Sequence, residues 1–141
     1  FCIMDHYHIF ISHAWKYSDD YRTVVKWIDE AKADGTLNWS NYSVPYHDPL
    51  IDTSTTVGKS KLKKLLENQI SPASIIIVIS GMYAAYSEWI DFEIDTSVSK
   101  GKYIIGLKPW GQERIPVKIQ NNADMMVGWN KSSVINAILG K

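Results

Sequence analysis

Five consecutive β-branched apolar residues, Ile75–Ile79, constrain the fold more than any other stretch of the sequence. The run is too short to cross a membrane, and it lacks the alternating polar residues of a strand with one face in water. It therefore predicts a strand that is covered on both faces. Such strands are typical of the centre of a parallel sheet with helices on either side.

A helix is predicted directly after this strand, from an N-cap at Ser87 to a terminating glycine at Gly101. At about 100° per residue, one arc of the helix is mainly apolar and carries a single acid, Glu93. The rest of that arc is Tyr86, Trp89, Ile90, Ile94 and Ser97, and the acids on the opposite arc are Glu88, Asp91 and Asp95. A carboxylate on a buried arc is costly unless a polar group meets it. Two interpretations are open: an ion pair at the edge of the buried stripe, or a functional site.

Strands and helices alternate along the rest of the chain. This alternation in 141 residues predicts one domain, 1–141, with a central, mostly parallel five-stranded sheet between helices in a flavodoxin-like order 2-1-3-4-5. The other predicted strands are 7–11, 38–44 at an edge, 103–107 and 125–128. Three other helices are predicted. The first runs from an N-cap at Ser18 to about Gly35, the second spans 59–70 and the third spans 131–139. Two long loops are predicted at 45–58 and 108–116.

In this strand order, the direction in which successive strands are added to the sheet reverses between strands one and three. Ligands bind there, beyond the carboxyl ends of those strands. Ser12 and His13 follow strand one, while residues 81–87 follow strand three and lead to Glu93. A hydroxyl and an imidazole are suited to bind phosphate or ribose. The topology therefore predicts a shallow ligand site at this edge of the sheet.

Several other chemistries lack their residues. The loop after strand one, 12–16, has no glycine to wrap a phosphate, and strand three is followed by Ser80 rather than a phosphate-accepting aspartate. No G-x-x-x-x-G-K or G-x-G-x-x-G pattern is present. His6 and His8 share a strand face, but no cysteine or carboxylate completes a ligand set, so no metal site is predicted.

The charge balance argues against nucleic acid or anionic membrane as a partner. Fifteen basic and fifteen acidic residues give a net charge of zero. The sequence has no long apolar run and no signal peptide. The single cysteine, Cys2, excludes an internal disulfide and suits a reducing compartment, so a cytoplasmic protein is predicted.

The segment Ser87-x-Trp89-x-x-x-Glu93, which follows a buried strand, is similar to the S-x-W-x-x-x-E segment of TIR domains. Residues 7–13, YHIFISH, resemble the first TIR signature. Over about residues 7–139 the chain most resembles the TIR-like proteins of bacterial Thoeris anti-phage systems. The resemblance implies that Glu93 is the catalytic carboxylate of an NAD-cleaving enzyme.

The implied reaction breaks the bond between nicotinamide and ribose in NAD, with ADP-ribose or a cyclic ADP-ribose as product. A cyclic product would signal to a separate effector protein. The leaving group is cationic and needs no acid, so one carboxylate can suffice to stabilise the oxocarbenium-like transition state. No cofactor is implied beyond NAD as substrate.

The resemblance also implies self-association, in which the 45–58 loop helps to complete a neighbour's site. The residues predicted to bind the nucleotide are Ser12, His13, Tyr46, His47, Asp48, Tyr83, Ser87 and Trp89. Core packing explains Trp89 as well as ligand contact does, and core packing is the favoured interpretation of Tyr83. Two other functions remain open: a non-catalytic TIR-like assembly module, and a nucleoside deoxyribosyltransferase-like N-glycosidic enzyme.

Overall fold

The structure is a computed structural model that describes residues 6–11, 19–42, 55–79, 83–108 and 115–140, with only the backbone of residues 20 and 83–88. Its strands are β1 His6–Ile11, β2 Asn38–Asn41, β3 Ile75–Ile79, β4 Tyr103–Leu107 and β5 Met125–Val127. Its helices are α1 Asp19–Ala33, α2 Thr56–Ile70, α3 Tyr83–Ser99, α4 Val117–Asn122 and α5 Lys131–Leu139. None of these helices combines the length and hydropathy needed to cross a bilayer.

The five strands form one parallel sheet in the order β2-β1-β3-β4-β5, which confirms the predicted fold class and topology. β3 is central, with Ile77 paired to Ile11 of β1 and to Ile105 of β4. All five residues of β3 are buried, as the apolar run predicts. β2 lies at an edge of the sheet, also as predicted.

The sheet separates two apolar clusters. The first lies under α1 and α5 and receives the side chains of Ile75, Ile77 and Ile79 from β3. The second lies under α2, α3 and α4 and receives Ile76 and Val78 from the same strand. Alternate residues of a strand point to opposite faces, so an uninterrupted apolar strand is what this three-layer arrangement requires.

Two predicted helix starts were wrong. α2 begins at Thr56, so residues 56–58 are helical and not part of the predicted 45–58 loop. α3 begins at Tyr83, so Ser87 lies within the helix and is not its N-cap. Ala84 and Ala85 are strong helix formers, and no glycine or proline separates them from Ser87, which allows the helix to start earlier. The sequence also gave no indication of α4, a six-residue helix that begins directly after Pro116.

Gly101 ends α3 with a φ of +69°, which confirms its predicted role as the terminating glycine. Its Gly101→Ala variant is expected to lose about 1–2 kcal/mol of unfolding free energy, because a Cβ is strained in the left-handed region although nothing lies within 4 Å of it. Urea denaturation measures the loss. Gly128→Ala is the matched control, since Gly128 has no positive φ and a Cβ there would have only an ordinary contact at 3.7 Å from Asn130 Nδ2. A similar loss in both variants would contradict this account.

The turn after α1 contains an exposed carboxylate with a lowered pKa. The Thr36 hydroxyl and the Thr36 backbone N–H, the latter at 3.1 Å, donate hydrogen bonds to Asp34 Oδ1. With a smaller contribution from Lys131, these bonds hold the pKa of Asp34 below its ordinary value of 3.8.

A lowered pKa in the folded state means that the charged carboxylate stabilises the fold above its ordinary pKa. This stabilisation is lost as the pH falls through the folded-state pKa. The melting temperature of Asp34→Asn is therefore expected to lie slightly below that of the wild type at about pH 6, and the difference is expected to shrink below about pH 3.8. Thermal melts across this pH range measure it, and a difference that grows on acidification would have the wrong sign.

Candidate functional site

The carboxyl ends of β1 and β3 are adjacent, because Ile9, Phe10 and Ile11 pair in parallel with Ile75, Ile76 and Ile77. β2 lies on one side of β1 and β3 lies on the other, so the predicted reversal of strand order occurs between β1 and β3. α3 begins at Tyr83, shortly after β3 ends. Ser12 and His13 follow Ile11 but lie outside the described residues, as do Tyr46, His47 and Asp48 in the 45–58 loop.

Glu93 is the one charged side chain that is buried among the residues the structure describes, and its exposed fraction is 0%. It lies on the same face of α3 as Trp89, Ile90 and Ile94, which belong to the second apolar cluster. The helical wheel predicted this inward position, and the structure confirms it. The expectation of a shallow site is wrong for Glu93, because its carboxylate has no contact with solvent and lies about 15 Å along α3 from Tyr83.

Two more polar side chains share the buried face of α3. Ser97 is fully buried, and its hydroxyl donates a 2.6 Å hydrogen bond to the backbone carbonyl of Glu93. Thr96 is 8% exposed. The helical wheel placed Ser97 on the inward arc, but no role was predicted for it. The signal was its position four residues after Glu93, from which a serine hydroxyl can donate a hydrogen bond to the backbone carbonyl of Glu93.

Neighbouring helices hold α3 on both sides of Glu93. The Lys63 ammonium of α2 lies 5.7 Å from the centroid of the Phe92 ring. On the other side, Lys118 of α4 forms an ion pair with Asp95 at 2.6 Å. Each contact is modest in energy because it is partly exposed, and the two lie on opposite sides of Glu93 in the sequence of α3.

Asp91 differs from its predicted position on the wet face of α3. Asp95 is exposed as expected, whereas Asp91 is only half-exposed and its Oδ1 is buried without a hydrogen-bond partner in the described part of the chain. Asp91 lies one helical turn before Asp95, on the side of α3 that faces α4. The wheel treats α3 in isolation, without the helices packed against it, and overestimates the exposure of Asp91.

The other predicted contacts on α3 are only partly described. Trp89 is 7% exposed and packs in the second cluster, so the structure shows its core role, and its contact with a nucleotide stays a prediction. Tyr83 and Ser87 lie within α3, with only their backbones described. Their roles in binding stay predictions as well.

One cavity in the described part of the chain is lined by none of these residues. It has a volume of about 410 Å³, and Ser74, Lys100, Gly101, Lys102, Tyr103 and Asp124 line it. These residues precede β3, β4 and β5, so the cavity opens at the amino edge of the sheet. Ligands of doubly wound sheets bind at the carboxyl edge, and we therefore place the functional site by topology and by Glu93 rather than by cavity size.

The parallel order β2-β1-β3-β4-β5, with a buried glutamate on the helix after the central strand, defines a doubly wound α/β domain of the flavodoxin-like class. Residues 10–114, most of the chain, match the family model of the Thoeris protein ThsB, TIR-like domain, and the chain belongs to that family. This confirms the resemblance drawn from the segments around Phe10 and Glu93.

A solved structure with a similar fold is the CMP N-glycosidase BcmB of Clostridium botulinum. The two chains are 14% identical, and the similarity covers 95% of this chain and 99% of that one with a TM-score of 0.53. At this identity the likeness shows the fold alone. A comparison with curated proteins gave no match.

Proposed function

We propose that this protein is an NAD-cleaving TIR-like enzyme of anti-phage defence, with Glu93 as its catalytic residue. The observation that carries the proposal is the complete burial of Glu93 on the helix that follows the central strand. A buried carboxylate costs stability, and such groups cluster where function requires them. Membership in the family of Thoeris TIR-like domains supports the defence role.

In the proposed reaction the bond between ribose C1′ and the nicotinamide nitrogen breaks, and both bonding electrons leave with nicotinamide. The Glu93 carboxylate opposes the positive charge that develops on the ribose and accepts hydrogen bonds from its hydroxyl groups. Attack by water gives ADP-ribose and releases one proton. Attack by a nucleophile of the same molecule gives a cyclic ADP-ribose, which would act on a separate effector protein.

Access to Glu93 requires a conformational step. Its side chain has no exposed surface in this structure, so a ribose reaches the carboxylate only after neighbouring groups move aside. Enzymes commonly combine such opening and closing with the exclusion of water from the reacting centre. We therefore propose that substrate binding, through Ser12 and His13 among other groups, includes this rearrangement.

Incubation of the purified protein with NAD tests the proposal, with chromatography of nicotinamide, ADP-ribose and cyclic ADP-ribose as the readout. A parallel incubation with CMP and deoxynucleosides tests a second candidate, a nucleotide N-glycosidase, because the similar fold of BcmB accompanies such an activity. A carboxylate can stabilise the oxocarbenium-like transition state of those bonds too, but their uncharged bases also need a proton donor to leave. Cleavage of CMP but not NAD would favour the second candidate. If the purified protein cleaves none of these substrates, and phage-infected cells that express it show no cleavage either, the protein is a non-catalytic module.

Self-association is a further part of the proposal. If the 45–58 loop completes a neighbour's site, specific activity is expected to rise with protein concentration, whereas that of a monomeric enzyme stays constant. Mixing Glu93→Gln with a variant in which Tyr46, His47 and Asp48 are all alanine is expected to restore part of the activity, because some interfaces then pair an intact Glu93 with an intact loop. No recovery, with constant specific activity in the wild type, would mean that sites are not shared.

A further inference from the structure

Two histidines lie side by side at the amino end of β1. Ser12 follows the other, carboxyl end of this strand. The ring centroids of His6 and His8 are 4.8 Å apart, and their planes are inclined by 43°. The two residues are separated by one position in a strand, so their side chains point to the same face of the sheet. His6 is exposed and His8 is half-buried, which leaves the pair accessible from solvent.

A residue of the neighbouring strand orients His6. Ser40 Oγ of β2 lies 2.7 Å from His6 Nε2. In the tautomer in which Nε2 donates to Ser40, Nδ1 presents its lone pair to other ligands. Metal-binding histidines are held in the same way, with one ring nitrogen bonded to an oxygen of the protein and the other bonded to the ion.

His8 has a nitrogen that no group in the described part of the chain uses. Its Nδ1 is buried and makes no hydrogen bond with any described residue. The ring of Tyr42, with its centroid 5.4 Å from that of His8, restricts the His8 ring further. A buried polar atom without a partner costs free energy, so a group that supplies a bond to it would be stabilised at this position.

We propose that His6 and His8 form a binding site for a late first-row divalent metal ion, through their two imidazoles. Imidazole is a preferred ligand of Cu²⁺ and Zn²⁺, and affinity in this series is highest for Cu²⁺. Within the described segments no third histidine, cysteine or carboxylate joins the pair, and the proposed site consists of the two imidazoles alone. The sequence predicted no metal here because it lacked the third ligand; the new elements are the orienting Ser40 and the unused His8 nitrogen.

The test is a titration of the full chain with Cu²⁺ alone, in a Cys2→Ser background that removes the one thiol. Calorimetry is expected to give one ion per chain, and electron paramagnetic resonance to show two imidazole nitrogens as ligands. His6→Ala and His8→Ala are each expected to weaken binding at least about tenfold and to leave one nitrogen. If His8→Ala does not fold, His8→Gln takes its place.

The other two histidines provide the matched control, since His13→Ala and His47→Ala are expected to leave the affinity unchanged. A second readout is the melting temperature, which excess Zn²⁺ is expected to raise in the wild type and not in His6→Ala. Binding that survives both His6→Ala and His8→Ala, or that shows one nitrogen in the wild type, would overturn the proposal. Loss of NAD cleavage is not a readout here, so failure of this proposal is distinguishable from failure of the proposed function.

Discussion

Glu93→Gln is expected to lower the rate of NAD cleavage by at least about a hundredfold while leaving the fold intact. Glutamine keeps the volume of the side chain but removes the negative charge that opposes the oxocarbenium-like transition state. Loss of a single preorganised electrostatic group typically has an effect of this size. Nicotinamide release, followed by chromatography at saturating NAD, measures the rate.

Stability and a second acid on the same helix give the controls for this experiment. Because glutamine conserves the volume of the buried Glu93 side chain, the melting temperature is expected to stay near that of the wild type. Asp95→Asn changes an exposed acid of α3 and is expected to keep most of the activity. Equal rates for wild type and Glu93→Gln, or an equal loss in Asp95→Asn, would reject Glu93 as the catalytic residue.

Ile76→Ala and Ile77→Ala are each expected to destabilise the fold by about 2–5 kcal/mol. Both residues are completely buried, although they are consecutive in β3 and point to opposite faces of the sheet. Truncation therefore leaves a cavity in the second cluster in one case and in the first cluster in the other. Urea denaturation measures both losses of unfolding free energy, with one m-value used for all variants.

Milder and exposed substitutions set the scale for these two variants. Ile76→Val and Ile77→Val remove one methylene each and are expected to cost about 0.5–1.5 kcal/mol. Val98→Ala, at a position of α3 that is 50% exposed, is expected to stay within about 0.5 kcal/mol of the wild type. A large loss at only one of Ile76 and Ile77 would show that β3 has one weakly packed face.

The sequence was informative wherever a single periodic pattern decided the structure. The run Ile75–Ile79 specified a central strand, and its position between helical segments specified a parallel sheet. The wheel placed Glu93 inward correctly because most of its neighbours on that arc are apolar. It placed Asp91 too far outward, because a wheel treats α3 in isolation and includes no contact with neighbouring helices such as α4.

Local signals were weaker at helix ends and for the site. Ser87 has the chemistry of an N-cap, but the helix-forming residues before it extend α3 to Tyr83, and the cap preference is too small to prevent this. The proposed catalytic role of Glu93 came only from the resemblance, since an ion-paired structural glutamate gives the same wheel. How deeply Glu93 is buried could not be read from the sequence, because depth depends on how α2, α3 and β3 pack together.

The sheet divides the apolar interior into two clusters. This division affects which substitutions the protein can accumulate during evolution. Among the described residues, the cluster under α1 and α5 shares no side chain with the one that surrounds the Glu93 face of α3. Substitutions at Val24, Ile28 or Val134 can therefore alter thermal tolerance without touching the neighbours of the glutamate. Laboratory evolution could first accumulate stabilising changes on the α1 side, and that reserve would then offset destabilising changes around Glu93 that alter substrate choice.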